Sequence, residues 1–136
     1  MGESRGHIEL VAIAVNYIKT MVDQNYQSII QYDSADSQRP TKVIGNFIPD
    51  AYFWHDEQLI IGEAKTIHDF DRPHSREQYD AYLMECASFY GSATLVISVP
   101  WQLVATAKNY FRRRKKQLGV EVPVIIVNEM GKDYKI

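Results

Sequence analysis

IPDAYFWHDEQLIIGEAK, residues Ile48 to Lys65, is the stretch that decides how the chain is read. Phe47 to Trp54 and Gln58 to Glu63 are rich in aromatic and β-branched residues, and between them lie the polar His55, Asp56 and Glu57. That pattern predicts two short strands joined by a tight turn. With Asp56-Glu57 as the loop and His55 facing Gln58, antiparallel counting sets Trp54 opposite Leu59, Tyr52 opposite Ile61, and Asp50 opposite Glu63. Asp-Glu is not among the pairs that favour the commonest two-residue hairpins. A slip of one residue would turn the two carboxylates to opposite faces.

In the counted register the carboxylates are about 5 Å apart at their Cβ atoms, and like charges so placed destabilise a sheet. Alternation puts Lys65 on the face of Glu63, so Asp50, Glu63 and Lys65 converge on one patch. A hard divalent cation suits that patch. Mg2+ or Mn2+ takes oxygen ligands, commonly one or two carboxylates with several waters retained. An ammonium group beside it can orient or activate a water and neutralise a phosphate in the transition state. The chemistry indicated is phosphodiester hydrolysis. The spacing is equally met by an ordinary hairpin with exposed acids and a salt-bridged lysine.

The 136 residues, 46% of them hydrophobic, allow one domain with a core of its own, spanning 1–136. No apolar run is long enough for a membrane span, and MGESRGHIE has no secretory segment, so no membrane partner and a cytoplasmic location are expected. Cys86 stands alone, which excludes an internal disulfide and a cysteine-rich zinc site. The formal charge of −2 gives no bulk attraction to nucleic acid; any such binding must come from local patches.

A first helix is expected from about Gly6 to Val22, with Ile8, Val11, Ala12, Val15, Ile18 and Val22 as its buried stripe. Glu9 sits near its start, where the helix dipole favours a carboxylate; Glu3 precedes the helix. Tyr26 to Tyr32 reads as the first strand, and Asp33 to Thr41 as an exposed polar loop. After Lys65, a charged loop leads to a helix from Ser75 to about Tyr90, with Ser75 as N-cap and Gln78 completing a capping box. His68 and His74 lack a recognisable metal-ligand spacing. Gln78 and Tyr82 lie one turn apart on one side of this helix, and Tyr79, Leu83, Cys86 and Tyr90 read as core or interface. For Tyr82, packing and a role in a site are both open.

Thr94 to Val99 has the apolar character of a central strand covered on both faces. A helix from Trp101 to Leu118 follows, with Val104, Ala107, Phe111 and Leu118 buried. Its segment Lys108 to Lys116 holds Lys108, Arg112, Arg113, Arg114, Lys115 and Lys116, a basic concentration in an acidic chain. That is a candidate phosphate-contacting surface, or else a solvated helix end whose cations answer the dipole. Gly119 stops the helix, Val122 to Val127 forms a last strand, and Gly131 to Ile136 is a polar tail.

Pro49-Asp50 followed by Glu63-Ala64-Lys65, the glutamine and tyrosine of Gln78 and Tyr82, and the order helix, three strands, helix, strand, helix, strand together resemble the PD-(D/E)xK nuclease superfamily, in particular its compact resolvase-like and exonuclease-like members with a QxxxY element. The resemblance implies an α/β, restriction-endonuclease-like core: a mixed five-stranded sheet flanked by helices. It implies a Mg2+-dependent DNA nuclease, with Mn2+ able to substitute. Asp50 and Glu63 would hold the metal, aided by Glu9 and the Ala64 carbonyl; Lys65, Gln78 and Tyr82 would complete the catalytic set; Lys108, Arg112, Arg113, Lys115 and Lys116 would bind nucleic acid, with RNA not excluded. A domain this small is expected to act as a homodimer or through a recruiting partner. The rival reading is a non-catalytic nucleic-acid-binding or assembly module that keeps the fold.

Overall fold

The computed structural model describes residues 5–33 and 39–136. Its elements run α1 (Arg5–Met21), β1 (Gln31–Tyr32), β2 (Ala51–His55), β3 (Gln58–Ala64), α2 (Pro73–Ser88), β4 (Ser92–Ser98), α3 (Val104–Leu118), β5 (Val124–Val127) and β6 (Asp133–Lys135), with 3-10 turns at Gln24–Ile29 and Trp101–Leu103. Among the described residues, no helix is long and apolar enough to cross a membrane. Glu3 and most of the expected Asp33–Thr41 loop lie outside the described residues.

The strands form one mixed sheet in chain order, β1 to β6. β3, β4 and β5 are parallel neighbours; the pairs β1-β2, β2-β3 and β5-β6 are antiparallel. Parallel neighbours need crossover connections, and α2 and α3 supply them. Both helices pack on one face, where Tyr79, Tyr82, Leu83 and Phe111 meet Leu59, Ile61, Leu95, Ile97 and Ile126. α1 covers the other face, its Leu10, Val11, Ala14, Val15 and Ile18 meeting Ala51, Phe53, Ile60, Val96 and Ile125. The fold is thus α/β with helices on both sides of the sheet, as expected from the sequence. The apolar run of β4 is buried from Thr94 onward because both layers cover it.

Several local expectations are corrected. The sheet has six strands, because the tail folds back: Ile126 pairs with Tyr134, and Val124 and Ile136 exchange backbone hydrogen bonds. Tyr26–Tyr32 is a 3-10 turn followed by only two strand residues. Side-chain bonds win there: Asp23 accepts the Asn25 N–H at 2.9 Å, and the Gln27 amide donates to the Lys19 and Val22 carbonyls that end α1. Helix α2 starts two residues early, with Pro73 in its first turn, where a missing N–H costs nothing. Ser75 is then inside the helix and donates to the Asp69 carbonyl at 2.6 Å, so the capping box does not form. Tyr90 lies past the end of α2 and is exposed. The buried stripe of α1 includes Leu10 and Ala14, while Ile8 and Ala12 are exposed.

The β2-β3 turn is locked to the start of β4. Ser92 N–H donates to the Glu57 carbonyl at 2.7 Å, and Gly91 passes so close that a Cβ there would stand 2.2 Å from the Glu57 oxygen. Gly91→Ala is therefore expected to force backbone movement and lower stability by about 2 kcal/mol, on the scale of overpacking. Gly6→Ala, where a Cβ meets nothing within 4 Å, should be neutral to slightly stabilising. Urea unfolding of both variants checks this; an unchanged midpoint for Gly91→Ala would contradict the close approach.

Candidate active site

The hairpin adopts the counted register: Trp54 faces Leu59, Tyr52 faces Ile61, and Ala51 faces Gly62. Its turn is made by Asp56 at φ 52°, a left-handed conformation that aspartate tolerates better than most residues. Asp50 and Glu63 therefore meet where the paired strands end. The Asp50 N–H donates to Glu63 Oε1 at 3.3 Å, and the Ala64 N–H donates to Asp50 Oδ2 at 2.9 Å. Lys65 Nζ lies 3.4 Å from Glu63 Oε2, and its backbone N–H donates to the Ser98 carbonyl at 3.0 Å, which anchors it to β4.

Helix α2 closes the cluster from the side. Gln78 accepts a hydrogen bond from Lys65 Nζ through Oε1, which leaves the ammonium fixed between an amide oxygen and a carboxylate. Tyr82 is fully buried, and its hydroxyl makes no hydrogen bond among the described residues. Tyr79, one turn away, donates instead to the Phe70 carbonyl at 2.8 Å and serves the core. Burial, followed by the nearby charges of Glu63 and Asp50, raises the Tyr82 phenol far above its ordinary range, so it stays protonated. The structure thus brings together Asp50, Glu63, Ala64, Lys65, Gln78 and Tyr82.

Glu9 is not in this cluster. At 3.6 residues per turn it falls on the side of α1 opposite Val11 and Ile18, and it pairs with the exposed Arg5 at 3.6 Å. From the same helix it is His7 that reaches the cluster: Nε2 stands 3.2 Å from Asp50 Oδ2, with both side chains largely buried. Sequence reasoning missed His7. The signal was its spacing, since His7, Leu10 or Val11, and Ala14 recur on one helix face once the stripe is drawn through Leu10 and Ala14.

The basic residues lie elsewhere. Glu63 and Lys65 stand at the carboxyl ends of the parallel strands, whereas the last turn of α3, with Lys115 and Lys116, lies at the opposite end, beside the start of β5. Arg112, Lys115 and Lys116 line a groove there with Lys135. Lys108 sits over the Tyr134 ring, 4.6 Å from its centroid, and Arg113 is exposed. Arg114 belongs to the framework, held by Asp80 through two hydrogen bonds of 2.8 and 2.7 Å.

Glu63 is fully buried, and burial followed by the charge of Asp50 pushes its carboxyl up to about 8, against the opposing pull of Lys65. Such a pair is what a hard cation relieves. The donors fit Mg2+ or Mn2+: two carboxylates, no thiolate, and a buried, unbonded Tyr82 hydroxyl that a metal-bound water could satisfy. No set of three or more His, Cys, Asp or Glu side chains placed to hold a metal occurs among the described residues. The remaining positions would fall to backbone oxygen and water, the Ala64 carbonyl first among them. Comparison with protein-family models, curated proteins and solved structures returns no match.

The Glu63 shift has a pH signature in metal-free protein. With a folded value near 8 against an ordinary 4.5, the contribution is fully present below about pH 4.5 and is lost as pH rises through 8. The loss is at most about 1.4 kcal/mol per pH unit. Thermal unfolding in EDTA should show Tm falling between pH 5 and 8, and Glu63→Gln should flatten that fall. An identical slope in the variant would contradict the assignment.

Proposed function

We propose that this chain is a Mg2+-dependent nuclease of the PD-(D/E)xK type that hydrolyses DNA phosphodiester bonds. The observation that carries the reading is the pairing of Asp50 and Glu63 across the end of the hairpin, with Lys65 held against Glu63 and Gln78. Its position supports the reading too, because ligands of open α/β sheets bind outside the carboxyl ends of the strands. A bound Mg2+ would be held by Asp50 and Glu63, with the Ala64 carbonyl as a further donor. It would supply Lewis-acid polarisation of the phosphate and a more acidic water.

The rest of the chemistry falls to the chain itself. Hydrolysis forms one P–O bond from water and breaks one to the departing sugar oxygen. Charge grows on the non-bridging oxygens as it does so, and Lys65, aimed by Glu63 and Gln78, is placed to neutralise it and to orient the water. The Gln78 amide limits the rotamers of Lys65, so its role is positioning. Tyr82 offers a protonated hydroxyl to the water or to a phosphate oxygen. His7 holds the Asp50 carboxylate through Oδ2, and the Ala64 N–H fixes the same oxygen, which leaves Asp50 Oδ1 for the cation.

The test is cleavage of plasmid, linear duplex, single-strand, four-way-junction and RNA substrates with Mg2+, Mn2+ or EDTA. Lys65→Ala is expected to lower kcat by about 10^2- to 10^3-fold, the scale of losing one transition-state donor. Gln78→Ala should lower it by less, because Lys65 itself remains. No cutting of any substrate, with nucleic acid bound equally by wild type and Lys65→Ala, would overturn catalysis in favour of the binding module.

A further inference from the structure

The basic groove lies at the wrong end of the sheet to contact the phosphate under attack. It is lined by Arg112, Lys115 and Lys116 of α3 and by Lys135 of β6, and has a volume of about 1140 Å3. Among the described residues none of these four cations forms an ion pair, while Arg114, between Arg112 and Lys115 in the chain, is fully engaged by Asp80. Glu121 contributes a side-chain carboxylate to the lining, and Ile136, the last residue of the sequence, lies there as well. The helix dipole accounts for cations in the last turn of α3, but not for Lys135, which comes from another element. Lys108, one turn before Arg112 and seated over Tyr134, extends the charge up the β6 edge toward the catalytic end.

We propose that this groove is a second phosphate-binding site, which holds the backbone of a nucleic-acid strand whose scissile bond lies at the Asp50-Glu63-Lys65 cluster. The inference rests on the nuclease reading for its substrate and on the groove's own charge for its binding. β3 and β6 are three strand spacings apart, about 14 Å, and the six residue steps of β4 add about 20 Å along the strands. The two sites are then about 25 Å apart. At the 3.4 Å or so per nucleotide of a helically stacked strand that separation takes about 7 or 8 nucleotides, and fewer in a stretched single strand. Strands shorter than this occupy one site or the other; longer ones bridge both and gain affinity without any new contact at the catalytic end.

The experiment has two arms. In EDTA, fluorescence anisotropy gives the affinity of a labelled 20-nucleotide single strand for wild type and for Arg112→Ala/Lys116→Ala/Lys135→Ala, across a salt series, with equal Tm confirming the fold. The variant is expected to bind at least tenfold more weakly at low salt. Its log-log salt slope should be shallower by about 2, the value for three lost phosphate contacts on a single strand. With Mg2+, the preference in kcat/KM for the 20-mer over a 3-mer should fall at least tenfold in the variant. An unchanged slope and affinity would overturn the groove as a phosphate site, as would an unchanged length preference in protein that cuts. Inorganic tripolyphosphate binding without any effect of the variant on the 20-mer would do so as well, by assigning the groove to small polyanions. The expected anisotropy without any cleavage would overturn the nuclease reading and leave the groove standing.

Discussion

Two carboxylates forced together at the end of a hairpin are the constraint on which the rest of the site depends. Asp50 and Glu63 cannot separate without a change of register, and a slip of one residue would exchange the side chains that β3 presents to its two cores, Leu59 and Ile61 on one face and Ile60 on the other. The fold therefore holds a repulsive pair in place and lets its neighbours offset the cost. Backbone N–H groups of Asp50 and Ala64 bond each carboxylate, Lys65 stands beside Glu63, and His7 reaches Asp50 from α1. Burial still keeps the Glu63 carboxyl high. Removing one partner of such a cluster costs more than the pair itself contributes, because a buried charge is left uncompensated.

The same sheet that creates the pair separates two kinds of chemistry. Its carboxyl ends gather acids, one lysine and a buried tyrosine; its other end gathers the free cations of α3 and β6. A buried acidic pair gains little as a cation site from a strongly basic rim, which would compete for the carboxylates. The groove's cations stand about 25 Å away, clear of the carboxylates.

The strong periodic signals were legible in the sequence. Period-two alternation and a turn of two polar residues located the hairpin and its register, and the unbroken apolar run of β4 marked the sheet's centre. The helix stop at Gly119 followed from its left-handed conformation, φ 69°. What failed was decided by tertiary partners. Every residue from Leu10 to Val15 is apolar, so pattern alone could not choose the buried face of α1; the sheet chose Leu10 and Ala14 beside Val11 and Val15, which brought His7 in against Asp50 and left Glu9 exposed. Tyr26 to Tyr32 has strand-like residues, but Asp23 and Gln27 offered the backbone nearer partners. The tail looked polar because β6 is an edge strand with one half-buried residue, Tyr134.

The central claim is that the Asp50-Glu63 pair is built for a divalent cation, and direct Mn2+ binding tests it without any substrate. Electron paramagnetic resonance at pH 7.5 counts the Mn2+ left free as wild type, Glu63→Gln or Asp50→Asn protein is added to a fixed amount of Mn2+. The account predicts one Mn2+ per chain in the wild type, displaced by excess Mg2+, and affinity weakened at least tenfold in each variant. Wild type that leaves Mn2+ free, or variants that bind it as well as wild type, would contradict the account.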